Sequence, residues 1–161
     1  MRTIKFRAFI LGKMYDVKAI DFDGENGITI TTDGGFYNIS HGTKDEHGHL
    51  MQYTGLKDKN GVEIYEGDVV RIVSKMVKVD GSPTKDEDAI NTYEIFYHPQ
   101  HCEWFRRLLT TNKHYTIGYE EKVSYITLHY YEVIGNIHEE ELKWERLSLG
   151  AKKHSKDLIT N

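Results

Sequence analysis

Three things are scarce in this sequence, and each scarcity excludes a class of protein. Cys102 is the single cysteine among 161 residues, so the chain cannot form an intrachain disulfide and suits a reducing compartment. Only two prolines occur, which excludes a proline-rich recognition array. No stretch approaches the roughly 20 apolar residues of a membrane span. Lys5 and Arg7 interrupt the apolar N-terminus, unlike a signal peptide. We therefore expect a soluble, intracellular protein that does not bind membranes.

The sequence also carries less positive than negative charge. The formal net charge is −4 and the pI is near 6.1. Proteins that hold nucleic acid by releasing counterions are usually basic. The charge balance therefore disfavours non-specific binding of nucleic acid, although a local basic patch would still allow it.

The motifs of common enzymes are missing from the sequence. No glycine run matches a dinucleotide-binding loop or a P-loop, and Asp33–Gly35 is typical of a turn. Cys102 follows His101 directly, whereas catalytic cysteine–histidine pairs are normally brought together in space. The carboxylates of Asp86–Asp88 belong to a polar loop and not to the rigid pair of a glycosidase. We therefore predict no catalytic residue and no cofactor.

What the sequence does have is a series of short alternating segments separated by turn residues. Ile4, Phe6 and Ala8 alternate with polar residues, as in a half-buried strand. Short strands with turns about every eight to twelve residues are typical of an all-β layout. Strands are predicted at Thr3–Ala8, Met14–Phe22, Ile28–Thr31, Phe36–Ile39, Ile90–Tyr97, Tyr115–Tyr119 and Val123–Ile134.

The segment around residue 60 carries the strongest local signal. Asn60-Gly61 predicts a two-residue type I′ hairpin turn, because both residues tolerate the positive φ that this turn requires. Gly67 predicts a second tight turn for the same conformational reason. A β-branched run begins at Val69, and a turn followed at once by such a strand is a common way into a small, bent barrel.

Three segments of the chain resemble the YopX family of phage and prophage proteins. They are MRTIKFRAF (Met1–Phe9), LMQYTGLKDKNGVEIYEGDVV (Leu50–Val70) and YEVIGNIHE (Tyr131–Glu139), and they occur in the family's order. The resemblance implies a β-rich fold with an SH3-like barrel, encoded by a bacterial virus or an integrated prophage. Together with the single cysteine, which suits a reducing compartment, this predicts the cytoplasm of a bacterial host as the location. The resemblance implies no mechanism.

The predicted fold is mainly β, an SH3-like bent barrel with an N-terminal β lobe and a short C-terminal helix. Residues 1–49 are predicted to form the lobe, residues 50–138 the barrel, and residues 139–161 the helix and a frayed tail, which could all pack as a single domain. Asn136 can cap the helix, with Glu139 three residues on, as in a capping box. The acidic segment Asp80–Asp88 is predicted to be a mobile loop.

Two groups of histidines suggest a metal site. Zinc needs three or four ligands that converge on one point, and a turn at Pro99-Gln100 could bring two imidazoles together. The second half of a zinc pattern is missing, so the alternative is that these are surface histidines. The groups are His41, His47 and His49, and His98 and His101 with Cys102.

The segment Tyr97–Arg107 is the candidate binding site because it mixes aromatic and cationic residues. Aromatic rings with arginine can stack on single-stranded nucleic acid or hold a peptide. The alternative is that the large aromatics fill the barrel and the arginines are solvated. The candidate residues are Tyr97, Trp104, Phe105, Arg106 and Arg107.

Three functional hypotheses follow from these patterns. The preferred one is a non-enzymatic phage or prophage accessory protein that binds a phage or host protein or forms a homo-oligomer. The second is a nucleic-acid-binding protein that uses the barrel face near Trp104 and Arg106. The third is a metal-dependent enzyme built on the histidine clusters.

Overall fold

The structure is a computed structural model that describes residues 3–22, 27–40, 48–75, 82, 88–111 and 118–139. The chain divides into two compact units, Met1–Gly55 and Leu56–Asn161. The predicted N-terminal lobe ends at residue 49, whereas the first unit ends within the strand that starts at His49.

The first unit is built on an antiparallel sheet. Strand order in this sheet is β4-β3-β2-β1-β5-β6, so the first four strands follow one another as hairpins and the fifth pairs with the free side of the first. Its small core contains Ala8, Ile10 and Ile30. The strands are β1 (Phe6–Ile10), β2 (Lys13–Asp21), β3 (Gly27–Thr32), β4 (Gly35–Ser40), β5 (His49–Lys57) and β6 (Glu63–Tyr65), the last lying beyond the unit boundary.

The second unit is built on a five-stranded antiparallel sheet with the order β10-β9-β8-β7-β11. A 3₁₀ helix at Tyr125–Tyr130 leads into the last strand. The strands are β7 (Asp68–Ser74), β8 (Ala89–His98), β9 (Glu103–Thr111), β10 (Glu120–Lys122) and β11 (Tyr131–Asn136). Residues on one face of this sheet form the larger core, which includes Val70, Ile95, Leu108 and Tyr131.

The prediction of a mainly β protein is confirmed, but the described strands do not close into a barrel. The strands β10 and β11 lie at opposite edges of their sheet. The outer edge of β11 is taken by a turn, because Lys59 N donates to Tyr131 O at 3.0 Å. A turn that covers an edge removes the need for another strand there.

The alternating pattern located several strands but did not always fix their burial. Strand β1 begins at Phe6 instead of Thr3, and Ala8 and Ile10 are its buried residues. Ile4 is 72% exposed, so its apolar side chain does not continue the buried face. The alternating pattern alone could not show how far along β1 the neighbouring parts of the structure extend.

Two parts of the second unit differ from the predicted strands. Strand β9 was not predicted, although it pairs with β8 along most of its length. The predicted strand Val123–Ile134 is wrong over its first half, where a 3₁₀ helix occupies Tyr125–Tyr130. Val123 and Leu128 are both buried in the core. The spacing of these apolar residues fitted a strand as well as a 3₁₀ helix, so it did not distinguish the two.

The turn around Asn60 is not the two-residue turn that the sequence predicts. Gly61 has a positive φ of 82°, whereas Asn60 does not have a positive φ. Gly61 N donates to Asp58 O, and Asp58 N donates to Val62 O, which matches a three-residue loop with glycine in the left-handed position. The Asp58 carboxylate explains the difference, because it accepts from Asn60 N at 2.8 Å and Val62 N at 2.9 Å.

Several sequence predictions lie wholly or largely outside the described residues. For the predicted C-terminal helix, only the cap is described: Asn136 Oδ1 accepts from His138 N at 2.9 Å, as a capping residue would. The predicted helix that follows lies outside from residue 140 onward. The same holds for most of the Asp80–Asp88 loop and of the predicted strand Tyr115–Tyr119. No α-helix occurs within the residues that are described.

The predicted turn at Gly67 is confirmed and is tied on both sides. Its φ is 77°, a conformation that strains most other residues. Gly67 N donates to Ile95 O at 2.7 Å, and Gly67 O accepts from Ile137 N at 2.9 Å. The turn therefore holds the start of β7 against two other parts of the second unit.

We expect Gly67→Val to lower the free energy of unfolding by about 1–3 kcal/mol, because valine cannot adopt this φ without strain. Gly67→Asn is the matched control, since asparagine tolerates the left-handed region, and it should cost less. Urea denaturation of the three proteins measures both. Equal stability of wild type and Gly67→Val would contradict the assignment of a forced turn.

Candidate functional site

The candidate segment Tyr97–Arg107 forms the hairpin between β8 and β9. His101 N donates to His98 O at 3.2 Å, which closes a turn with Pro99 in the position that proline prefers. The turn brings the rings of His98 and His101 to a centroid distance of 4.5 Å. The expectation that Pro99-Gln100 could bring these imidazoles together is confirmed.

Strand pleating divides the five candidate residues between the two faces of the sheet. Tyr97 pairs with Trp104, and Ile95 pairs with Arg106, so these side chains share the core face. Phe105 and Arg107 alternate with them and lie on the other face, which we call the outer face. The candidate residues therefore do not form one continuous surface.

Arg106 lies on the core side and is committed to contacts within the protein. Its side chain is 12% exposed, and Nη2 lies 2.6 Å from Oε1 of Glu121. Nη1 donates to the hydroxyl of Tyr131 at 2.9 Å. The guanidinium carbon also lies 4.4 Å from the ring centroid of Tyr93. This cation has little surface left for an external partner.

Trp104 is half-buried and packs against the main core of the second unit. Its ring meets that of Tyr97 edge-on at a centroid distance of 5.3 Å. Trp104 O accepts from Val123 N at 3.0 Å, so the backbone here also holds the segment after β10. The residue thus combines a core contact with partial exposure.

The outer face at this end of the hairpin carries a cluster of four rings. Phe105 contacts His98 at 4.7 Å and His101 at 5.1 Å between centroids. Phe96 pairs with Phe105 across the strands at 6.2 Å. We call Phe96, His98, His101 and Phe105 the ring cluster. Phe105, His98 and His101 belong to the segment that the sequence singles out for binding, whereas Phe96 lies before that segment and was missed.

Arg107 lies beside the ring cluster and is held by two carboxylates. Its Nη1 is 3.0 Å from Glu94 and its Nε is 2.8 Å from Glu120, while the guanidinium carbon lies 4.5 Å from the Phe96 centroid. The bond to Glu120 raises the pKa of Arg107. The pKa of Glu94 is raised, chiefly by burial, although Arg107 acts to lower it.

The other flank of the outer face has the opposite arrangement. Glu132 accepts from Lys59 Nζ and from Arg71 Nη2, both at 2.9 Å. These two hydrogen bonds lower the pKa of Glu132 below its ordinary value. Here one carboxylate, that of Glu132, is paired with two cations, whereas the single cation of Arg107 is paired with two carboxylates.

The carboxylate partners could have been found in the sequence. Arg106-Arg107 and Glu120-Glu121 are adjacent pairs of opposite charge, and antiparallel pairing places Glu121 opposite Arg106 and Glu120 opposite Arg107. The missing information was the existence of β9, without which no register between the two pairs could be drawn.

The histidine groups do not form a metal centre among the described residues. No three histidine, cysteine or carboxylate side chains converge there in a way that could hold a metal ion. Cys102 is exposed, and its Sγ lies 3.5 Å from Pro99 O. His41 and His47 lie outside the described residues. Within the described ranges, no helix has the length and apolar character needed to cross a membrane.

The two antiparallel sheets define a mainly β protein, and comparison with known proteins assigns its family. The profile described as YopX protein matches residues 5–143, so the chain belongs to the YopX family. The crystal structure of protein EF1440 from Enterococcus faecalis is similar, with 28% sequence identity and a TM-score of 0.52. That similarity covers 91% of this chain and 99% of the other. Comparison with curated proteins finds no match.

The two arginines should differ in their effect on stability. Arg106→Ala should lower the free energy of unfolding by about 2–3 kcal/mol, because it removes charged hydrogen bonds from a largely buried site. Arg107→Ala is the matched control and should cost at most about 1 kcal/mol, because its ion pairs are partly exposed. Urea denaturation measures both, and equal costs would contradict the different placement of the two side chains.

The pKa of Glu94 predicts a pH-dependent effect. A raised folded-state pKa means that the protonated form is favoured by folding. That contribution is full below the unfolded-state pKa and is lost as pH rises through the folded-state pKa. Glu94→Gln, which stays neutral, should therefore be at least as stable as wild type at pH 7 and lose this advantage near pH 3. Chemical denaturation across this range tests it, and a Gln variant that is clearly less stable at pH 7 would contradict it.

Proposed function

We propose that this member of the YopX family is an accessory protein of a phage or prophage that acts by binding and not by catalysis. Its partner is a phage or host protein or a second copy of the chain, and its location is the cytoplasm of a bacterial host. Membership of the YopX family supports the phage origin. The arrangement of polar groups and the ring cluster support binding.

The polar residues of the family-like segments hold the fold together. The Asp58 carboxylate accepts from the backbone of two turn residues and from Val133 N at 3.0 Å. Asp68 is 1% exposed and accepts from Tyr65 N at 2.8 Å. Both carboxylates accept hydrogen bonds from backbone N–H groups. The segment that carries the family resemblance therefore stabilises the fold beneath the surface and does not supply reactive groups.

The ring cluster is the observation that carries the proposal. It lies on the outer face at the end of a two-stranded hairpin, beside charges that are already paired. Binding hot spots combine aromatic residues with a surrounding polar rim that excludes water. Phe105 and Arg107, from the candidate set, lie in and beside this cluster, and Tyr97 and Trp104 adjoin it through the same hairpin.

Nucleic acid is the less well supported partner. Arg106 is paired with Glu121 and Arg107 with Glu94 and Glu120, so the two arginines of the candidate segment do not form an open cationic surface. The net charge of −4 points the same way. A strand of phosphates would have to compete with carboxylates that the fold already provides.

We expect Phe105→Ala to weaken partner binding about tenfold or more while leaving the protein folded. The assay immobilises the full-length chain and measures retention of proteins from a lysogen after prophage induction. Purified partner is then titrated against each variant. Circular dichroism and thermal melting establish that each variant is folded.

Phe36→Ala is the matched control, because Phe36 is 79% exposed and lies in the first unit. It should bind like wild type. Equal binding by all three proteins, or loss in Phe36→Ala alone, would contradict the assignment of the ring cluster as the contact surface.

A further inference from the structure

The outer face of the second sheet carries two ion clusters of opposite net sign. The acidic cluster joins the cation of Arg107 to the carboxylates of Glu94 and Glu120. The basic cluster joins the carboxylate of Glu132 to the cations of Lys59 and Arg71. Each cluster has one charge that its own members do not neutralise, negative in the first and positive in the second.

The sheet order places these clusters on opposite flanks. The acidic cluster belongs to β8, β9 and β10, and the basic cluster belongs to β7, β11 and the turn before β6. An apolar pair, Val73 and Ile90, lies opposite one another on the adjoining strands β7 and β8. These two side chains are 42% and 44% exposed, so the face also offers apolar surface, two residues along the strands from the Arg71–Thr92 pair.

We propose that this face is an interface with a second copy of the chain. The inference rests on the proposed function and names the partner for this face. Two copies packed face to face about a twofold axis parallel to the strands would set each acidic cluster against a basic cluster. A twofold axis across the strands would instead oppose clusters of like sign. The charges therefore select one of the two symmetric arrangements.

The charge balance of the face favours a second copy over a partner of one sign. A nucleic acid or a uniformly basic or acidic peptide would be attracted by one cluster and repelled by the other. A copy of the same face satisfies both clusters at once. Self-complementary patches of this kind are what an isologous interface requires.

The size of the face predicts a weak dimer. Five strands spaced about 4.8 Å apart, with three to ten residues each at about 3.3 Å per residue, span an area of roughly 500 Å². This area is smaller than the roughly 800 Å² per partner of a standard interface. We therefore expect association that depends on protein concentration. It should also weaken with added salt, because the clusters are partly exposed.

Analytical ultracentrifugation of the full chain, at low and moderate salt, tests the proposal. Wild type should approach twice the chain mass of 18.8 kDa as its concentration rises. Glu120→Lys makes both clusters basic, and Lys59→Glu makes both acidic. Each variant alone should dissociate at least tenfold more readily, while an equimolar mixture should recover the dimer because unlike variants attract at both contacts.

Lys18→Glu, an exposed substitution in the first unit, is the control for an unspecific effect of charge and should dimerise like wild type. Melting temperatures establish that all variants are folded. A wild type that stays monomeric, variants that dimerise like wild type, or a mixture that does not recover would overturn the interface. Any of these results leaves the proposed binding function standing if Phe105→Ala still weakens a partner found in the lysogen.

Discussion

The carboxylate of Asp58 is the interaction on which the second unit depends most. One oxygen accepts from Asn60 N and Val62 N, which fixes the turn before β6. The other accepts from Val133 N at 3.0 Å, and Lys59 N adds a bond to Tyr131 O. Asp58 is only 7% exposed, so its charge is stabilised by these donors and not by water. A local turn is thereby joined to an edge strand that lies far away in the sequence.

The segments that resemble the YopX family are neighbours in the structure. The first is paired with the start of the second through β1 and β5. The second meets the third where Asp68 pairs with Asn136 across β7 and β11, two residues that are each 1% exposed. The resemblance therefore reports a set of mutually dependent contacts that define the fold. Differences in function would then be carried by surfaces such as the outer face, whose side chains can change without breaking these contacts.

Sequence reasoning reached the mainly β character, the family and the turn at Gly67, because each depends on local pattern. It did not reach β9, since Trp104 and Arg106 share the core face and the strand has no clean alternation of apolar and polar residues. That omission also hid the division of the candidate site. Arg107 was included in the candidate segment, but its carboxylate partners could be identified only once β9 and its register with β8 and β10 were known.

Amide hydrogen exchange in Asp58→Asn tests the central role of this carboxylate most directly. Asparagine keeps one acceptor oxygen but replaces the other by an amide group, which cannot accept a hydrogen bond. The turn amides of Asn60 and Val62 can keep a partner, whereas the amide of Val133 should lose its partner and exchange faster than in wild type. Unchanged protection of Val133, with unchanged stability to urea, would contradict the account that Asp58 holds the turn against β11.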